Sequence, residues 1–131
     1  NTNITFELPI YWTQTYKTKP DKVTLVGMNA YRNWHYQVQN NVKKEFRELV
    51  CEQLGDVVVE GQYKVDMKVY YKNVNCDVSN IVALIEKFSL DALQEHGAVV
   101  NDNVKYHLGT TWEVAGQDKT NPRCIVTIHE V

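Results

Sequence analysis

The sequence predicts an α+β fold, a mixed sheet with two helices packed on one face, in the order β-α-β-α-β-β. Three observations carry that reading. Apolar residues alternate with polar ones around residues 2–10, 57–71, 104–114 and 123–131, the period of half-buried strands. They recur every three or four positions over 29–54 and 79–96, the period of amphipathic helices. The chain has 131 residues, 44% hydrophobic and 23% charged. That is enough for one core and too little for two, so residues 1–131 are read as a single domain.

The first strand puts Ile4, Phe6, Leu8 and Ile10 on one face, with Pro9 near its end. Residues 11–27 hold no sustained period and are expected to form a long basic loop, with a short extended piece at 22–26. Tyr11, Trp12 and Tyr16 in that loop either stack on bases or plug the edge of the core. Asn29 is the expected N-cap of a helix running to about Leu54, with Tyr31, Trp34, Val38, Val42, Phe46, Leu49 and Val50 as its buried stripe and Gly55 as its stop. Residues 57–71 are strand-rich, interrupted at Gly61 by a bulge or tight turn. The second helix runs from 79 to 96, with Ile81, Leu84, Ile85, Phe88 and Ala92 inward and Gly97 at C′. A strand over 104–114, a polar turn at 116–122 and a closing strand over 123–131 complete the chain. No internal repeat, low-complexity tract or linker interrupts it.

Net charge is −2, so no global basicity announces a nucleic-acid binder. The charges are unevenly placed. Residues 11–50 hold seven basic and three acidic side chains, whereas residues 51–131 hold seven basic and twelve acidic. A basic front half and an acidic centre suit a metal-dependent phosphodiesterase, and an ordinary solvated surface explains the same counts. Cys51, Cys76 and Cys124 are odd in number with no CxxC spacing, and fit reduced cytosolic thiols better than a disulfide framework. The longest apolar run, 81–85, is too short to span a bilayer, and no secretory leader is legible. The missing initiator Met points to a processed or trimmed chain. The four histidines lack zinc-site spacing. P-loop, GxGxxG and GxSxG motifs are absent, which leaves nucleotide cofactors and serine-hydrolase chemistry without support.

The polar residues gather around the second helix. Asn80, Lys87 and Asp91 fall within about 40° of one another at 100° per residue, Asp77 precedes the helix, and Asp102 follows it. Carboxylates converging on a hard cation are what metal-assisted phosphoryl transfer needs. The plainer alternative has Asp77 capping the helix and Asp102 in an Asx turn with Asn101 and Asn103. Lys87 and Asp91 are either an i, i+4 surface ion pair or part of a site in which Lys87 faces a phosphate and Glu86 a metal.

Asp77-Val-Ser-Asn80, Glu86-Lys87-Phe-Ser-Leu-Asp91-Ala-Leu and Val100-Asn-Asp102-Asn resemble the signature of the RusA family of phage-type Holliday junction resolvases. That signature reads D-x-D-N, a Lys, D-A-L four residues later, then an acidic pair beyond the helix. The resemblance extends weakly over nearly the whole chain and is specific only over 77–102. It implies a RusA-like fold and a magnesium-dependent homodimer, with Mn2+ as an alternative metal, that cuts four-way DNA junctions by paired phosphodiester hydrolysis. By position, Asp77 and Asp102 match catalytic acids, Lys87 the catalytic lysine, and Asn80 and Asp91 the neighbouring polar positions.

Three departures stand out. Ser79 replaces an acid, Asn101 replaces the first acid of the later pair, and Lys87 lies four residues farther on, about 6 Å along the axis. Glu86 is expected to replace the carboxylate missing at Ser79, giving Asp77, Glu86 and Asp102 as metal ligands. Lys17, Lys19, Lys22, Arg32, Lys43, Lys44 and Asn80 are the expected DNA contacts. The implied setting is the cytoplasm of a bacterial or phage-infected cell, with no membrane partner. The altered acids also admit a catalytically impaired relative that binds junctions or proteins.

Overall fold

In a computed structural model, which describes residues 2–131, the chain forms an α+β fold around a four-stranded mixed sheet. The strands are β1 (Asn3–Pro9), β4 (Tyr63–Tyr71), β5 (His107–Gln117) and β6 (Arg123–Glu130), in the spatial order β1-β6-β4-β5. β6 pairs antiparallel with both β1 and β4, whereas β4 and β5 are parallel. A parallel pair needs a crossover, and helix α3 (Val78–His96) supplies it. Ile4, Phe6 and Leu8 of β1, Tyr63, Val65, Met67 and Val69 of β4, and Cys124, Val126 and Ile128 of β6 are buried. They meet Ile81, Leu84, Ile85, Phe88 and Ala92 of α3 and Val42, Phe46 and Val50 of α2 (Tyr36–Gln53) in one core.

The expected first helix is two helices. α1 (Met28–Asn33) ends at Trp34, and α2 begins after His35, whose ψ of 147° is not helical. His35 caps α2 by accepting the Gln37 N–H on its Nδ1 at 3.2 Å, and Gln39 donates back to the Tyr31 carbonyl at 2.6 Å. The break redirects Tyr31 and Trp34 into an aromatic chain. Trp12 packs on Trp34, Trp34 on Tyr31, Tyr31 on Phe88 and Phe88 on Phe46, with centroids 5.3–6.2 Å apart. Gly27, not Asn29, is the N-cap of α1.

The expected loop over 11–27 is instead a hairpin, β2 (Tyr11–Gln14) paired antiparallel with β3 (Lys22–Leu25). Burial of Trp12 and its 2.6 Å Nε1 bond to Glu45 anchor the hairpin on α2. Residues 57–71 shorten to β4 alone, since Val59 makes only an isolated bridge with Val99. The strand expected over 104–114 lies at 107–117, because Asn103 turns the chain by accepting the Lys105 N–H. Gly97 closes α3 with φ 84°, the left-handed conformation that favours glycine. No helix of the described residues is long and apolar enough to cross a membrane.

Candidate functional site

α3 is the element on which the candidate residues are strung. Asp77 is its N-cap, its Oδ1 accepting the Asn80 N–H at 3.4 Å and the Ser79 hydroxyl at 2.9 Å. Ser79, which stands where an acid was expected, therefore donates to Asp77 and fixes one carboxylate oxygen. The carboxylate remains exposed and opposes ionisation of the half-buried Cys76 beside it, whose thiol is pushed up chiefly by burial and then by Asp77.

Asn80 has a structural task. Its Oδ1 accepts the Asn29 N–H at 2.8 Å, supplying from α3 the cap that Gly27 cannot provide to α1. A Cβ on Gly27 would run into the Asn80 carboxamide where it now lies, so a larger residue there must displace that side chain. The Gly27 backbone is extended, with φ −153°.

One turn or more along α3, the acids and the lysine separate by flank. Asp91 faces α2, where its carboxylate lies 3.6 Å from the Lys43 ammonium, and Glu95 one turn on meets Arg47 at 2.9 Å. The Lys87–Asp91 ion pair, one of the two readings of that spacing, is not formed. Lys87 is exposed and Glu86 half-buried, and neither enters an ion pair among the described residues. Glu86 and Asp91 lie about 140° apart around the axis at 100° per residue. Of these two acids, Glu86 alone is left without a cation among the described residues.

Asp102 lies beyond the other end of the helix. Asn101 Oδ1 accepts the N–H groups of Asp102 and Asn103 at 2.8 and 3.2 Å, and Asp102 is exposed to solvent. Tyr63 borders the same turn, its hydroxyl donating to the Asn101 carbonyl at 2.7 Å. That hydroxyl is pushed up to about 12, mainly by burial and further by Asp102.

Asp77 and Asp102 are therefore at opposite ends of a 19-residue helix, about 28 Å long at 1.5 Å per residue. No group of three His, Cys, Asp or Glu side chains gathers to hold a metal among the described residues. Asp77, Glu86 and Asp102 do not fit a metal held within one chain, because ligand oxygens must come within about 2–2.6 Å of one cation.

The expected DNA contacts divide in the same way. Lys17 and Lys19 occupy the hairpin tip between β2 and β3, Lys22 starts β3, and all three are exposed. The Lys19 ammonium sits 4.2 Å from the centre of the Tyr16 ring. Arg32 and Lys44 are exposed on α1 and α2, and Lys43 is occupied by Asp91. A groove of about 410 Å³ between the hairpin and α2 is lined by Trp12, Lys44, Glu45 and Glu48, among others. Its two acids make it a poor phosphate track. The tie of Asn80 to Asn29 was not legible in the sequence, because it joins residues 51 positions apart. No protein-family model matches the chain, and no curated protein matches it.

Proposed function

We propose that this chain is a RusA-like, structure-specific endodeoxyribonuclease that cuts four-way DNA junctions with Mg2+ or Mn2+ and acts as a homodimer. The observation that carries the reading is the ordered set on the α3 crossover. Asp77 is exposed with one oxygen fixed by Ser79, Lys87 is exposed and outside any ion pair among the described residues, Asp91-Ala92-Leu93 follows, and Asp102 is exposed beyond the helix. In this reading Lys87 offsets the charge that develops on a scissile phosphate. Lys17, Lys19, Lys22, Arg32 and Lys44 hold DNA backbone, a sequence-independent attraction that weakens with salt. The three acids need more than one chain to surround a cation.

That separation favours a second reading of the same chain, a RusA-like junction binder that has lost its chemistry. Labelled four-way junctions, with linear duplex as control, separate the two when incubated in Mg2+, Mn2+ or EDTA beside Asp77→Asn, Glu86→Gln and Asp102→Asn. Metal-dependent paired nicks that disappear in Asp77→Asn and Asp102→Asn support the nuclease, and the Glu86→Gln lane shows whether Glu86 replaces the missing acid. Junction retention without cuts in either metal supports the binder.

A further inference from the structure

The two edges of the sheet are treated differently. At β1 the outward backbone of Glu7 is closed by one side chain, since Gln53 Oε1 accepts the Glu7 N–H at 2.9 Å and Gln53 Nε2 donates to the Glu7 carbonyl at 2.8 Å. Pro9 ends that strand. β5 lies at the opposite edge and, among the described residues, pairs only with β4 and is the longest strand, 11 residues. Its sequence, HLGTTWEVAGQ, contains no Lys, Arg or Pro. Those are the residues with which soluble proteins usually block an open edge.

None of its residues is buried. Thr110, Trp112 and Val114 pair with buried Val65, Met67 and Val69 and so share the helix-covered face, yet Trp112 is 45% and Val114 49% exposed. An apolar cleft of about 210 Å³, lined by Tyr71, Val74, Cys76 and Val78, continues from Val114. β1, β6 and β4 all contribute buried residues to the core, and β5 contributes none.

We propose that β5 is the surface through which two copies of this chain join, edge to edge and antiparallel, so that one sheet continues into the other. Charge selects this occupant. The one ionised side chain on the strand, Glu113, is already matched by Lys68 on β4 at 3.7 Å. With its one acid already paired and no base of its own, the edge offers a phosphate backbone nothing to hold. It does not repel its own copy.

With the two-fold axis at Thr111, Glu113 faces Gly109 of the partner subunit and Trp112 faces Thr110 of the partner subunit, while Thr111 faces its equivalent. No like charges are opposed, and Thr–Thr and aromatic–Thr neighbours are favourable cross-strand pairs. The two Trp112 side chains then lie diagonally across the axis on the uncovered apolar face. The inference deepens the homodimer of the proposed function by naming its interface. It is read by mass, not by cleavage, so the failure of either idea is visible separately.

The test is sedimentation and light scattering of the full chain over a concentration series, beside Trp112→Lys and Val114→Lys. The expected result is a wild-type mass twice the 15.2 kDa of the chain, falling to the single-chain mass in both variants with the circular dichroism unchanged. Disulfide trapping removes any dependence on those variants folding. In a chain with Cys51 and Cys76 changed to Ser, Thr111→Cys forms a covalent dimer on mild oxidation and Glu113→Cys does not. A wild type that stays monomeric, a dimer that survives both lysines, or equal trapping at the two positions overturns the proposal.

Discussion

Replacing Gly27 by Ala tests the junction between α1 and α3, where the candidate site meets the fold. The backbone of Gly27 is extended and open to alanine, so strain in φ contributes nothing. The added methyl collides with the Asn80 carboxamide. Asn80 must rotate, which breaks its 2.8 Å bond to the Asn29 N–H. Overpacking costs about 1–3 kcal/mol, and the lost hydrogen bond about 1 kcal/mol. Against these stands about 0.4–1 kcal/mol from the smaller conformational freedom of unfolded alanine. A net destabilisation of about 1–3 kcal/mol follows, read as a fall in the urea midpoint at unchanged slope.

Asn80→Ala alone loses the bond and regains about 0.5 kcal/mol of helix propensity. In the double variant the three atoms nearest the methyl added at Gly27 are gone, so the two changes are coupled and the pair costs less than their sum by about 1–2 kcal/mol. Additivity of the two substitutions within about 0.5 kcal/mol refutes the close contact between Gly27 and Asn80.

Ser89 is fully buried on α3 and its hydroxyl has no hydrogen-bond partner among the described residues. Ser89→Ala is expected to stabilise the fold by about 1 kcal/mol, measured by the same urea titration. The half-exposed Lys43–Asp91 pair is expected to show a coupling of only about 0.2–1 kcal/mol in a double-mutant cycle, reduced further in high salt. Asp118 accepts from the Asn121 and Thr120 N–H groups, the Thr120 hydroxyl and Arg123, which together hold its carboxyl below the usual 3.8. A depressed carboxyl stabilises the fold above the unfolded pKa and loses that contribution as pH falls through the folded one. The melting-temperature gap between wild type and Asp118→Asn should therefore be constant near neutrality and close below about pH 4. Cys124 is buried and its thiol is pushed up to about 12, by burial first and then by Asp66. It should resist thiol reagents in the native protein and react with them only on unfolding, while half-buried Cys51 and Cys76 react sooner.

The parts of this fold that repeat at short range were legible in the sequence. The alternation of Ile4, Phe6 and Leu8, and of Cys124, Val126 and Ile128, gives strands with those residues buried, and the period through Ile81, Leu84, Ile85 and Phe88 gives α3 with Gly97 as its stop. What escaped depends on tertiary contacts. The apolar stripe through Tyr31, Trp34 and Val38 keeps helical spacing across a break, because His35 leaves the helix while the aromatic side chains stay on one side. The hairpin over Tyr11–Gln14 and Lys22–Leu25 has too few residues for a period, and it is held by Trp12 reaching Glu45 on α2. In the site, the caps formed by Asp77 and the Asx turn at Asn101 follow from local chemistry, and both were open readings of the spacing. The choice of Lys43 over Lys87 as the partner of Asp91 could not be read locally, because it depends on how α2 crosses α3.

The most direct test of the nuclease reading is a time course on one labelled four-way junction with wild-type protein, in Mg2+ and in EDTA, with the linear duplex of the same sequence alongside. Paired, symmetric nicks are expected on the junction in Mg2+, none in EDTA and none on the duplex. Equal cutting of junction and duplex, or no preference for the junction in either cutting or binding, would contradict that reading.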